Sequence, residues 1–86
     1  MSVLLMVERS EPGLRNEPRI SAMLWTADQD PWLLDAQQFR SESELRHWLS
    51  DVAGTYKRIG VRWTERLKAE KGLATIVAQC LGLAVP

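Results

Sequence analysis

One cysteine and one histidine occur in the 86 residues. A single thiol cannot close a disulfide within the chain, and one thiol with one imidazole falls short of the ligand set of a structural zinc site. Neither sign of charge is in excess, since 11 Lys and Arg face 11 Asp and Glu. With 45% hydrophobic residues, that balance excludes wholesale disorder, which needs lower hydrophobicity or a larger net charge. The longest stretch without a charged side chain is the 15 residues Gly72–Pro86, short of the roughly 20 that a membrane-spanning helix requires. Glycine-rich phosphate loops are missing too: Gly54 and Gly60 stand alone, and no Gly-Lys-Ser/Thr follows either. No cofactor and no metal are expected.

What is present fits one small α+β domain over residues 1–86. A chain of this length buries only about 60% of the surface that its unfolded form exposes, so each large apolar side chain counts. Four Trp, one Tyr and one Phe supply much of that area. The opening Met1–Glu8 has no basic n-region, and its apolar run stops after five residues, Val3–Val7. That is not the pattern of a signal peptide, and a cytoplasmic location is expected.

Hydrophobic periodicity divides the chain. Val3–Val7 reads as a strand buried on both faces, within 2–8. Glu11–Pro18 holds two Pro, one Gly and one Asn and reads as a loop. Residues 19–26 alternate, with Ile20, Ala22 and Leu24 on one side and Met23 and Trp25 on the other, giving a second strand. Asp28-Gln29-Asp30-Pro31 is a compact turn, and 32–39 is a third strand. Three strands on short connections predict an antiparallel meander. Ser41-Glu42-Ser43-Glu44 then matches a capping box, with Ser41 as N-cap and Glu44 reaching back to the cap amide. Leu45, Trp48, Leu49 and Val52 form the apolar stripe of a helix over 42–53, ended by Gly54.

The next segment has two periods at once. Tyr56, Ile59, Trp63 and Leu67 form a helical stripe, whereas Ile59, Val61 and Trp63 alternate with Arg58, Gly60 and Arg62 as in a strand. The helix-forming run Glu65–Lys71 favours a helix over 55–71. A third helix, over 73–82, carries Leu73, Ile76, Val77, Cys80 and Leu81, and Gly82 stops it. The expected architecture is a three-stranded antiparallel sheet (2–8, 19–26, 32–39) with two or three helices (42–53, 55–71, 73–82) packed on one face.

Zero net charge hides a division. Residues 1–39 hold three Arg against six carboxylates, whereas 40–71 hold eight Lys and Arg against five. On a helix, Arg58, Arg62 and Arg66 would form a row at i, i+4 and i+8. Like charges at that spacing repel mildly, which suits a row that meets phosphate as well as one that is merely solvated. A nucleic-acid contact would draw on Lys57, Arg58, Arg62, Arg66 and Lys68. On a strand, Arg58 and Arg62 would still share a face and Arg66 would lie beyond it. In the acidic half, Asp28, Asp30 and Asp35 near a tight turn suit either turn chemistry or contact with a partner protein, together with Trp25 and Trp32 where these are exposed.

Catalytic groups are sparse. His47 has Asp51 at i+4, an ordinary helix-surface spacing, and no nucleophile in view. Cys80 lies in an uncharged segment with nothing to stabilise a thiolate. A chain this short has little room for a pocket of about 300 Å³, and no catalytic residue is assigned. The apolar tail 73–86 either packs on the sheet or joins a second copy in a homodimer.

The run Phe39-Arg40-Ser41-Glu42-Ser43-Glu44-Leu45-Arg46-His47-Trp48-Leu49 resembles a strand-to-helix junction of small phage-encoded anti-CRISPR proteins, in which an apolar strand end is followed by Ser, an acidic cap turn and Leu-x-x-Trp. The resemblance covers 11 residues and carries over no site residue. It implies a non-enzymatic inhibitor or adaptor from a phage or mobile element, docking on a host protein or protein–nucleic-acid complex. The expected function is thus a non-catalytic protein-binding module, with a small nucleic-acid-binding accessory protein as the alternative, and no membrane contact.

Overall fold

The structure, a computed structural model, describes residues 2–10 and 19–85. The loop expected at Glu11–Pro18 lies outside the described residues. In chain order the elements are β1 (Ser2–Ser10), β2 (Arg19–Thr26), β3 (Leu33–Phe39), α1 (Glu42–Thr55), β4 (Arg58–Val61), α2 (Glu65–Ala69) and α3 (Lys71–Leu81). The fold is α+β, with one four-stranded mixed sheet in the order β3-β2-β1-β4.

The meander expected from the first half forms. β1 and β2 pair antiparallel, with Leu5 opposite Leu24 and Met6 opposite Met23, and β2 pairs antiparallel with β3, with Ile20 opposite Phe39. The β2–β3 register shifts between Leu24 and Trp25, a bulge that bends the edge strand.

The expected helix over 55–71 does not form, and the purely antiparallel three-stranded sheet is corrected with it. Residues 58–61 add a fourth strand, parallel to β1, with Val3 beside Ile59 and Leu5 beside Val61. The strand-like alternation of Ile59 and Val61 prevails because β1 offers an open row of backbone groups as well as a place for both side chains against the core. Only 65–69 is helical there, capped by Thr64, whose hydroxyl accepts from the Leu67 N–H at 3.2 Å. Glu70 ends α2 and opens α3, so the break falls before Gly72 and not at it.

The helix expected at 42–53 runs on to Thr55, with Gly54 inside it rather than past its end. Its start is capped as the sequence predicts at Ser41, whose hydroxyl accepts from the Glu44 N–H at 3.3 Å. The return bond is displaced by one residue, because the Glu44 carboxylate accepts from the Arg40 N–H at 2.9 Å. α3 ends at Gly82, which takes the left-handed conformation at φ 68°, a region glycine enters at little cost.

All three helices lie on one face of the sheet. The core joins Val3, Leu5 and Val7 of β1 and Ile20, Ala22 and Leu24 of β2 to Leu45, Leu49 and Val52 of α1, Leu67 of α2, and Leu73, Ala74, Ile76 and Val77 of α3. The apolar helix face at 73–78 is therefore buried within its own chain, which leaves Leu83 and Val85 as the large exposed apolar residues among the described residues of that tail. Expectation and structure differ over β1: only its alternate residues are buried, and Leu4 and Met6 lie half-buried on the opposite face. Arg9, near the end of β1, ties the helix starts together through Glu42 at 3.8 Å and Glu70 at 3.6 Å. Among the described residues, no helix is long and apolar enough to cross a membrane.

Candidate protein-docking face

Because the helices cover one side only, the other side of the sheet is open. Strand alternation decides what it carries. From β1 come Leu4 and Met6, from β2 Met23 and Trp25, and from β4 Arg58 and Gly60. Register sets them side by side: Trp25, Leu4 and Gly60 form one row, continued by Leu33 at the β3 edge, and Met23 and Met6 form the next. Glycine at position 60 leaves the Leu4 side chain uncovered. Arg62 follows directly, its N–H donating to the Leu5 carbonyl at 2.9 Å, which extends the ladder past β4.

The turn from β2 to β3 borders this face. Three bonds hold it. The Thr26 N–H donates to the Trp32 carbonyl at 2.9 Å, the Trp32 N–H donates to the Thr26 hydroxyl at 2.8 Å, and the Ala27 N–H donates to the Ser2 carbonyl at 3.1 Å. Thus anchored, Pro31 joins Leu4, Met6, Trp25 and Arg62 around an apolar cleft of about 210 Å³. Leu33, opposite Trp25, is 48% exposed, and Trp32, bonded to Thr26, is 74% exposed at the same end of the sheet. The Trp25 indole N–H is buried without a hydrogen-bond partner among the described residues. An apolar cleft bordered by exposed leucine is uncommon on a surface that meets only water.

Of the residues that the sequence offers for protein contact, the structure brings Trp25, Trp32, Asp28 and Asp30 to one end of the sheet, with Trp25 on the open face. Asp28 and Asp30 are exposed on the turn. Asp35 is set apart on the helix side, opposite Leu24. Its carboxylate accepts from the Trp48 indole N–H at 3.2 Å, from the Ala36 N–H at 2.9 Å and from the Gln37 side-chain amide at 2.9 Å. Trp48 in turn packs on Phe39, ring centroids 5.8 Å apart. A second cleft, of about 340 Å³, opens there between β3 and α1, with Asp35, Trp48, Asp51 and Tyr56 among its lining. With three bonds already accepted, the Asp35 carboxylate has little capacity left for a ligand.

The basic set is divided. Arg58 and Arg62 share the open face, as strand spacing dictates, and Lys57 is exposed just before β4. The helical row with Arg66 does not exist, because 58–61 is a strand. Arg66 sits on α2 beside Arg9, Ala69 and Glu70. Lys68 is paired with Glu65 at 2.8 Å, and that hydrogen bond, with the lysine charge, holds the Glu65 carboxyl below its ordinary value.

His47 and Asp51 are both exposed, and Cys80 is a half-buried free thiol. Among the described residues, no three His, Cys, Asp or Glu side chains converge as a metal site would require. Sequence reasoning missed Leu4, Met6, Met23 and Gly60 as parts of a surface. The signal that reveals them is the strand period at 59–63, since a fourth strand parallel to β1 widens the uncovered side.

Compared with protein-family models, with curated proteins and with solved structures, the chain matches none.

Proposed function

We propose that this protein is a non-catalytic protein-binding module that docks through its uncovered sheet face. One observation carries the reading. Three helices lie against a single side of the sheet, while the other side presents Leu4, Met6, Met23 and Trp25 beside the exposed Leu33. Apolar contact area gathered around aromatic anchors is what a protein interface uses. Asp28 and Asp30 on one rim and Arg58 on the other add orientation, because rim charges steer and select a partner more than they tighten binding. The junction at 39–49 resembles anti-CRISPR proteins. In that light the module is an inhibitor or adaptor of phage or mobile-element origin, acting in the cytoplasm on a host complex that handles nucleic acid.

The test compares the wild-type chain with Met23→Glu and Leu33→Glu as baits in host lysate. A stoichiometric partner captured by the wild type and lost with both variants supports the reading. Equal capture by all three overturns it.

A second reading rests on Arg58 and Arg62 sharing the open face with Trp25. Single-stranded nucleic acid would stack a base on the aromatic ring and set phosphates against the guanidinium groups. Gel-shift titration with mixed-sequence DNA and RNA at low and physiological salt tests it. The expected signature is steep loss of affinity with salt and further loss in the Arg58→Ala/Arg62→Ala variant. No binding at low salt removes this reading.

A further inference from the structure

We infer that the cleft between β3 and α1 is a separate docking site, which takes the arginine side chain of a partner segment lying extended along the β3 edge. It is on the helix side of the sheet, shares no residue with the open face, and goes beyond the reading above.

The first argument is the chemistry of the walls. The cleft measures about 340 Å³, within the ~300–1,000 Å³ of sites that hold a ligand. Asp35, Asp51, Trp48 and Tyr56 are among its lining, and no Lys or Arg is. No ion pair among the described residues involves either aspartate. Two negative charges thus share one concave site with no cation to balance them, and a cleft of one sign focuses its field on an incoming opposite charge. The rings select the same ligand, because a cation is drawn to the face of Trp or Tyr. Carboxylate beside aromatic ring suits a guanidinium best, since its planar fork bonds the one and stacks on the other.

The two aspartates have different parts. The Asp35 carboxylate is nearly filled by the Trp48 indole, the Ala36 N–H and the Gln37 amide. Its part is to add charge and to hold the Trp48 ring at the cleft wall. Asp51 is exposed. Its backbone carbonyl accepts from the Thr55 hydroxyl at 2.8 Å, while its carboxylate has no partner among the described residues. The direct bond to a guanidinium therefore falls to Asp51.

The second argument is position, which says why the arginine belongs to a protein segment. β3 ends the sheet, with β2 on one side and no strand on the other among the described residues. Ala36, Gln37 and Gln38 are exposed, and Leu33–Phe39 contains neither Lys nor Pro, the residues that most often guard an edge. Only Arg40 and Ser41 separate β3 from α1, so the helix returns beside the strand. Trp48 meets Phe39 near the start of that return, and Tyr56 shares the cleft with Leu24 and Leu34 at its end. The cleft is therefore continuous with the free edge. An extended peptide that adds to such an edge gains main-chain bonds from the strand and specificity from a pocket for one of its side chains. The Ala36 N–H is already held by Asp35, so an added strand uses the remaining outward groups of β3. Leu34, 39% exposed, offers apolar contact to the residue next to the arginine.

A displayed library of random peptides, selected on the full wild-type chain and counter-selected on Asp51→Lys, tests this. The expected yield is peptides that bind the wild type and not the variant, each with an arginine among residues that suit a strand. A synthetic copy of the strongest should lose about tenfold in affinity when its arginine is replaced by citrulline, which keeps the shape and removes the charge, and by a similar factor against Asp51→Asn. In an amide NMR titration the shifts should gather at residues 34–39 and at the Trp48 indole N–H. Asp51 is exposed, and a far-UV circular dichroism spectrum like the wild type's checks that its variants are folded. A selection without arginine-bearing peptides overturns the site. So does a peptide indifferent to citrulline or to Asp51→Asn, or one whose shifts gather at Leu4 and Met6. Free arginine amide that binds as tightly as the peptide overturns the extended segment as occupant. The open-face reading fails by a different result, equal capture of lysate proteins by wild type, Met23→Glu and Leu33→Glu, so the two failures are distinguishable.

Discussion

The two sides of the sheet are built from the same strands and meet different surroundings. On β1, Val3, Leu5 and Val7 point at the helices and are at most 1% exposed. Leu4 and Met6, their immediate neighbours, point the other way and are half-buried. On β2, Ile20, Ala22 and Leu24 repeat the first pattern, and Met23 and Trp25 the second. Side chains one residue apart thus belong to two separate systems, a packed core and an unfilled apolar surface. A strand can be apolar throughout without being covered throughout. Apolar residues placed where no helix reaches contribute little to folding, and their chemistry suits contact with another chain.

The contrast is broken most strongly by cutting into each side in turn. Leu5→Ala removes a fully buried side chain from the central strand and should cost about 2–5 kcal/mol. Met6→Ala, the next residue, should cost under about 1 kcal/mol, because it sits against no second layer. Urea denaturation of both variants measures the gap, and equal losses would mean that the open face is core after all. Removing the α1 cap by Ser41→Ala should cost about 1 kcal/mol on the covered side while leaving any binding through the open face unchanged, which a melt and a binding titration read separately.

Gly60→Ala sharpens the comparison from the open side. An added Cβ would lie 3.6 Å from the Leu4 side chain and 3.8 Å from the Val3 carbonyl, ordinary contact distances. Backbone restriction should then raise stability by about 0.4–1 kcal/mol, and a fall in the urea midpoint would mean that the backbone there rejects a side chain. The smallest effect belongs to an exposed pair. Lys68 lowers the Glu65 carboxyl pKa, so any stability from this pair is present above the unfolded carboxylate value and is lost as pH falls through the folded one. Because the pair lies in solvent, Glu65→Gln should leave the midpoint at neutral pH unchanged within error.

Much of the fold is legible before any coordinates. The three antiparallel strands follow from alternation and from the turn at Asp28–Pro31, the first helix from its Ser41 cap and apolar stripe, and the end of the third from Gly82. Residues 55–71 are the place where that reading goes wrong. Tyr56, Ile59, Trp63 and Leu67 fit a helical stripe as well as Ile59, Val61 and Trp63 fit a strand, and local propensity weighs toward the helix of the following run. What reverses it is a partner about 55 residues away in the chain, the free edge of β1, which no local window contains. The same event separates Arg66 from Arg58 and Arg62. Trp25 reads from strand alternation as lying on the side away from Ile20, Ala22 and Leu24, whereas Leu4 and Met6 read as core because a run of five apolar residues does not say which side will be covered.

The sequence by itself determined the local elements of this protein, since caps, turns and alternation act over a few residues and need no distant partner. Tertiary structure alone decided the fourth strand, the side on which the helices lie and therefore which apolar residues stay outside. Those outcomes depend on non-local hydrogen bonds and on shared burial, whose free energy exists only once segments far apart in the chain have met.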